Sequence, residues 1–251
     1  MKKFTADFET TTDPNDCRVW AFAISEIGNI DNFIYGNSLD DFMDFCANKK
    51  ENYKMWFHNL KFDGEFIVWW LLDNGFEFVP DKENRKDKSF TTLVSDMGQW
   101  YMIEVFFKVS GSKVNKVMFY DSMKLLNTSV EQVAKDFDLP ISKLKIDYRA
   151  YRAKGHVLTD EEVAYIRNDV EIMSRALKIM FDEGLTKMTR AGNALANYKE
   201  IITKNKFEHY FPILNKEIDC KFSAFSKIPQ EQSDWFGAFE LVLPIKSSFT
   251  G

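Results

Sequence analysis

The stretch FTADFETTT, residues 4–12, decides how this chain is read. Phe4, Ala6 and Phe8 alternate with Thr5, Asp7 and Glu9, the period of two that gives a strand two distinct faces. Asp7 and Glu9 therefore project to the same side, their Cα atoms roughly 6.6–7 Å apart, and their like charges repel. A strand face open to water would tolerate that arrangement. A pair of divalent cations held ~3.5–4 Å apart would require it, with one acid reaching each ion and one able to bridge them.

The segments that follow set the fold class. RVWAFAI predicts a second strand, a turn at Gly28-Asn29 leads into a third at NFIYG, and Ser38 sits where an N-cap belongs for the helix SLDDFMDFC. YKMWF reads as a fourth strand and LKFDGEFIVWWLLDNG as a second helix ended by Asn74-Gly75. A polar loop at 80–89 precedes the strands TTLVS, QWYMIEVFFKV and KVMFYDS, with turns at Met97-Gly98 and Gly111-Ser112. SVEQVAKDFDL, with Ser129 and Gln132 spaced as a capping box and Pro140 as its stop, predicts a third helix. Thr159 and Glu162 cap the longest, DEEVAYIRNDVEIMSRALKIMFDEG, whose Val163, Ile166, Val170, Met173, Leu177 and Phe181 form one apolar stripe. Past Gly184 another helix follows, then KFEHYFPIL, and from about 215 the periodicity weakens. This order predicts an α/β protein, a mixed sheet flanked by helices.

Two further acids stand out. On the long helix Asp169 lies about 60° from Ile166, on the shoulder of the apolar stripe, with Tyr165 one turn earlier on the same flank. A carboxylate there needs a partner, either a cation or an Arg or Lys from a neighbouring loop. In WFHNLKFDG a strand ends at His58-Asn59 and Asp63 falls near the first turn of the next helix, where the helix dipole alone would favour it. Loops at strand ends are also where open sheets carry chemistry, and His58 and Asn59 could contact phosphate or sugar.

With 33 Lys and Arg against 38 Asp and Glu, the formal charge of -5 excludes an overall basic field, so any nucleic-acid contact is local. Cys17, Cys46 and Cys220 have neither metal-ligand spacing nor a disulfide pattern, which predicts a reducing compartment. The chain starts without a signal-peptide core and has no long apolar run, so a cytoplasmic protein is expected.

DFETTT (7–12), HNLKFDG (58–64) and YIRNDV (165–170) resemble, in sequence and order, the three exonuclease motifs of protein-primed family B DNA polymerases, the phage phi-29-type enzymes. The likeness continues through GNSLDDFM, MGQWYMI, YDSMK, EIITKNKF and YFPIL, about five-sixths of the chain. It implies a ribonuclease-H-like fold and a 3'–5' exonuclease of the four-acid class with a tyrosine variant, cutting single-stranded DNA 3' ends and releasing nucleoside 5'-monophosphates. It further implies that Asp7, Glu9, Asp63 and Asp169 hold two divalent ions, Mg or Mn, that Tyr165 orients the attacking water, and that Lys143 steadies the scissile phosphate or the second ion. Thr10, His58, Asn59, Phe62, Ser122, Met123 and Tyr148 match residues that grip single strands in that family.

The resemblance suggests an exonuclease domain over 1–185, a helical extension over 186–214 like the connection to a polymerase palm, and a divergent tail over 215–251. The polymerase motifs Asp-x-x-Ser-Leu-Tyr-Pro and Asp-Thr-Asp do not occur, so no DNA synthesis is expected of these residues. A second class stays open, a non-catalytic module that binds DNA ends, a terminal protein or another replication protein. The complete acid set favours the enzyme.

Overall fold

The computed structural model describes residues 1–13, 15–47, 51–111 and 113–211. Among them, eight strands and six α-helices follow in order: β1 (Lys2–Thr10), β2 (Val19–Glu26), β3 (Asn29–Gly36), α1 (Leu39–Cys46), β4 (Tyr53–Phe57), α2 (Leu60–Asp73), β5 (Glu77–Phe78), β6 (Ser89–Val94), β7 (Trp100–Ser110), β8 (Lys113–Asp121), α3 (Val130–Asp136), α4 (Asp160–Asp182), α5 (Arg190–Ile202) and α6 (Lys204–Tyr210). The strands form one sheet in the order β3-β2-β1-β4-β8-β7-β6-β5. β1, β2 and β3 are an antiparallel meander, while β4 and β8 run parallel to β1. This is the ribonuclease-H-like, mixed α/β arrangement that the sequence predicts, widened by β7, β6 and β5.

β1 lies inside the sheet and is covered on both faces, which the alternation of its residues makes possible. Phe4, Ala6 and Phe8 enter the main core with Phe42 of α1, Phe57 of β4 and Leu60 and Ile67 of α2. There Phe8 meets Phe42 and Phe57 edge-on at 4.8 and 5.0 Å between ring centres. Burial of each such ring contributes roughly 1.5–3 kcal/mol, with up to about 1 kcal/mol more for the edge-to-face geometry. The opposite face, bearing Thr5, Asp7 and Glu9, looks toward α4, where Trp20 and Ala23 of β2 pack with Tyr165, Ile166 and Val170. The two acids thus lie beneath a helix rather than in open solvent.

α4 is fixed at both ends by its own sequence. The Thr159 hydroxyl accepts from the Glu162 N–H at 3.2 Å, and the Glu162 carboxylate accepts from the Thr159 N–H at 3.0 Å, completing a capping box. At the other end Gly184 turns left-handed at φ 82. The Leu185 N–H then reaches the Met180 carbonyl and the Gly184 N–H the Phe181 carbonyl, the paired bonds of a Schellman stop.

The structure differs from the sequence reading in four places. The β2–β3 hairpin turns on Ile27-Gly28, one residue early, because Glu26 pairs with Asn29. The Ser129 hydroxyl caps α3, but the Gln132 amide turns to Asp136 instead of closing a box. A short strand β5 pairs parallel with β6, from a segment with too few residues to show a period. The buried face of α4 is wider than the predicted stripe, taking in Tyr165, Asp169, Ile172, Ala176 and Met180, because β1 and α3 press on it from different sides.

The chain divides into two compact units, Met1–Leu195 and Ala196–Gly251. In the second, the Phe207 ring lies 6.2 Å from Tyr198 and 5.1 Å from Phe211. The predicted tail 215–251, Cys220 and the turn at Ser112 lie outside the described residues. Among the described residues, no helix is long and apolar enough to cross a membrane.

Candidate functional site

Three of the four predicted metal acids converge. The buried Thr5 hydroxyl donates to the Val170 carbonyl at 2.8 Å, pinning β1 to α4 one residue beyond Asp169. Asp7, Glu9 and Asp169 consequently present carboxylate oxygens that all lie within 4.8 Å of one another. Asp169 Oδ2 meets the Lys143 ammonium at 3.0 Å and the Tyr165 hydroxyl also favours this carboxylate, whereas buried Asp169 Oδ1 makes no hydrogen bond of normal geometry among the described residues.

Asp63 is not one of that trio but adjoins it. The parallel pairing of β1 with β4 stops at Thr5 and Trp56, so beyond it the Phe8 N–H, between Asp7 and Glu9, is left to another acceptor. Asp63 Oδ1, carried by the first turn of α2, takes that N–H at 3.2 Å. The fourth acid is buried and faces no arginine in a salt bridge among the described residues.

Without a cation this cluster is electrostatically costly. Burial, then Asp169, pushes the Asp7 carboxyl up to about 7 against the pull of Lys143 and the Phe8 N–H. Burial, then Asp7 and Asp169, pushes Glu9 up to about 8, with Lys143 and Arg152 opposing. Burial and then Asp7 hold Asp63 well above the carboxylate range, and burial also raises Asp169 despite Lys143. For Lys143, burial alone would favour the neutral amine, but Asp169 outweighs it and the ammonium is held charged. An all-oxygen donor set with one orphaned buried oxygen and several reluctant carboxylates fits a hard divalent cation.

Tyr165 is buried on α4 beside these acids, its phenol kept protonated by burial and by the neighbouring Glu9. Its hydroxyl is hydrogen-bonded to that of Tyr148, whose ring is half exposed. Tyr148 and Thr10 together line a cleft of about 210 Å³ that also includes Arg149 and Tyr151.

The remaining strand-gripping candidates gather at the ends of β4 and β8, around a residue the sequence reading passed over. Asp121 Oδ1 accepts from the N–H groups of Asn59 at 3.1 Å, Leu60 at 3.3 Å and Met123 at 3.0 Å. Asn59, held there at φ 75, makes no side-chain cap bond, so its amide stays at the surface with Phe62 a turn further on. The Ser122 hydroxyl lies 2.9 Å from the Phe57 carbonyl and 3.0 Å from His58 Nδ1. His58 Nε2 meets the Thr128 carbonyl at 2.7 Å, so both ring nitrogens already face protein partners, and burial lowers the pKa of the ring. Two more residues escaped sequence reading, Arg152 and, beyond its capping role, Glu162, whose buried pairing at 2.7 Å links residues ten apart. The signal for Asp121 was available in YDSMK, an acid ending a strand beside the Ser-Met pair; for Arg152 there was none.

Comparison with known proteins places this chain in a family. The family described as DNA polymerase type B, organellar and viral, matches residues 45–222. The DNA polymerase of Bacillus phage B103 is 46% identical over 218 residues, that of Bacillus phage phi29 is 43% identical over 218, and that of Streptococcus phage Cp-1 is 32% identical over 231. These alignments take in 86–87% of this chain but 37% of each relative, so the chain spans little more than a third of the length of the curated relatives it matches. Phi29 DNA polymerase complexed with single-stranded DNA superposes with a TM-score of 0.81 at 42% identity, covering 87% of this chain and 38% of that one. The same polymerase with primer-template DNA gives 0.80 at 41%, over 88% and 38%. On the extent of these matches, the chain belongs to the type B DNA polymerases of organelles and viruses.

Proposed function

We propose that this chain is a metal-dependent 3'–5' exonuclease of the four-acid, tyrosine-variant type, which removes nucleoside 5'-monophosphates from single-stranded DNA 3' ends. The observation that carries the reading is the meeting of Asp7, Glu9 and Asp169, from two elements 160 residues apart in sequence, with a buried oxygen left over. Its family and its likeness to a polymerase solved with single-stranded DNA support the choice of substrate.

Asp7, Glu9 and Asp169 would hold one divalent cation, and Asp63, next to Asp7 through the Phe8 amide, would join in holding a second. Mg or Mn bound there supplies activation of a water for attack on phosphorus and neutralisation of the charge that gathers on the phosphate and the departing 3' oxygen. The Tyr165 phenol, protonated, orients the attacking water by hydrogen bonding. Lys143, a permanent cation at 3.0 Å from Asp169, stands ready to steady the scissile phosphate. Asn59, Phe62, Ser122 and Met123 would grip the strand from the Asp121 side, and Thr10 and Tyr148 from the cleft, offering rings and hydroxyls to bases and sugars. His58, with both nitrogens engaged, would act by holding Ser122 rather than by touching phosphate.

The test is a 5'-labelled single strand incubated with Mg, with Mn or with chelator, beside Asp7→Ala. A ladder shortening from the 3' end in metal, lost in chelator and in the variant, supports the proposal. Strand binding with no shortening under any condition overturns it in favour of a non-catalytic end-binding module.

A further inference from the structure

Tyr148 sits in a loop with no regular structure, yet its hydroxyl must meet that of Tyr165 for the pair to be ordered. What holds that loop is a buried guanidinium. Arg152, only 6% exposed, sends Nη1 to the Asp147 carbonyl at 3.1 Å and to the Ala150 carbonyl at 3.0 Å, the two carbonyls that bracket Tyr148-Arg149. Its Nε donates to Glu162 Oε1 at 2.7 Å, and its guanidinium carbon lies over the Trp20 ring of β2, 4.0 Å from the ring centre. Glu162 is itself fixed, taking His156 Nε2 at 2.7 Å and the Thr159 N–H at 3.0 Å on its other oxygen. Arg18, paired with Asp16 at 2.9 Å, donates to the Arg152 carbonyl and ties in the loop after β1.

From this geometry we infer that Arg152 is a positioning residue for the exonuclease reaction, clamping the 147–152 loop between α4 and β2 so that the Tyr148 phenol orients the Tyr165 phenol. The inference rests on the function proposed above. A planar fork can satisfy Glu162 and two loop carbonyls at once while stacking on an indole; a lysine ammonium carries the same charge but cannot span those acceptors. Charge alone would be a different role, since Arg152 also eases the ionisation of Glu9. Lysine at this position separates the two.

The experiment measures kcat and KM on a 5'-labelled single strand in Mg for wild type, Arg152→Lys, Glu162→Gln, Tyr148→Phe and the double variant Arg152→Lys/Tyr148→Phe, each well below its own Tm. Arg152→Lys is expected to lower kcat by ~10- to 100-fold, the scale of a mispositioned catalytic group, while the Mn-induced rise in Tm persists. The double variant should be no slower than Tyr148→Phe within about twofold, because both changes disable one device. Glu162→Gln breaks the clamp from the other side and should also be non-additive with Tyr148→Phe, which keeps the test alive if the lysine variant does not fold. Wild-type rates in Arg152→Lys, losses that multiply with Tyr148→Phe as a general destabilisation would, or loss of the Mn effect overturn the inference. An inactive wild type instead overturns the function on which it rests.

Discussion

Neutralising one acid of the cluster should stabilise the metal-free protein while destroying its response to metal. Asp7 in the folded chain is pushed from 3.8 up to about 7, chiefly by burial and then by Asp169. For a carboxyl raised on folding the penalty is absent below its unfolded pKa, grows between pH 4 and 7, and is complete above. A rise of that size corresponds to ~4 kcal/mol at pH 8. Asp7→Asn removes this penalty but buries an amide with incomplete partners, at about 1–3 kcal/mol. The net gain is therefore ~1–3 kcal/mol, or about 3–10 °C in Tm for a chain of this length. The assay is thermal unfolding in chelator at pH 5 and pH 8, then at pH 8 with Mn. Wild type should be less stable at pH 8 than at pH 5 and recover with Mn. Asp7→Asn should show a flatter pH dependence, a higher Tm than wild type at pH 8 in chelator, and no Mn effect. A variant that loses Tm equally at both pH values, or still responds to Mn, would refute the electrostatic argument.

Other consequences concern the parts that hold the site. Glu162 is held down at about 2, as the bonds from Thr159, His156 and Arg152 outweigh its burial, so its ~3 kcal/mol of stabilisation is complete above pH 4.5 and lost as pH falls toward 2; acid unfolding of Glu162→Gln should show a correspondingly shallower limb over that window. Gly64 follows Asp63, and a Cβ there would come within 3.0 Å of the Trp100 ring and 3.1 Å of Ile103. Gly64→Ala should cost about 1–3 kcal/mol by overpacking and, by lifting α2 from β7, reduce exonuclease rate more than strand binding, as rate and gel-shift assays would record. Thr5→Val keeps the side-chain shape but deletes the bond to Val170, so unfolding in urea should register a loss of ~1 kcal/mol.

The legibility of this molecule in its sequence follows the range of the interactions involved. Period-two and period-3.6 patterns are local, so β1, β4, α2 and α4 could be read almost residue by residue, and the Thr159-x-x-Glu162 box marked the start of α4 because capping involves neighbours. Asp7 and Glu9 could be placed on one face for the same reason. That the face lies under α4, that Asp169 is nearly fully buried, and that Asp63 meets β1 through the Phe8 amide are tertiary facts with no local trace. The resemblance to the polymerase motifs supplied the grouping of the four acids, which periodicity alone left open. Arg152 was missed because its loop partners are the Asp147 and Ala150 carbonyls, and a backbone carbonyl has no sequence identity to betray its partner; Asp121 left a trace in YDSMK, but its bonds to the Asn59 and Leu60 N–H groups are tertiary. β5 was missed because two residues cannot display a period.

Oxygens from β1, α2 and α4 are proposed to share divalent cations. Anomalous diffraction at the manganese edge, from crystals of the wild-type chain soaked with Mn and a short single strand carrying a non-hydrolysable 3'-terminal linkage, tests this proposal most directly. Two manganese peaks are expected ~3.5–4 Å apart, one contacted by Asp7, Glu9 and Asp169 and the other extending to Asp63. Crystals in which these carboxylates carry no manganese while the strand is bound, with Asp169 still held by Lys143 alone, would contradict the proposal.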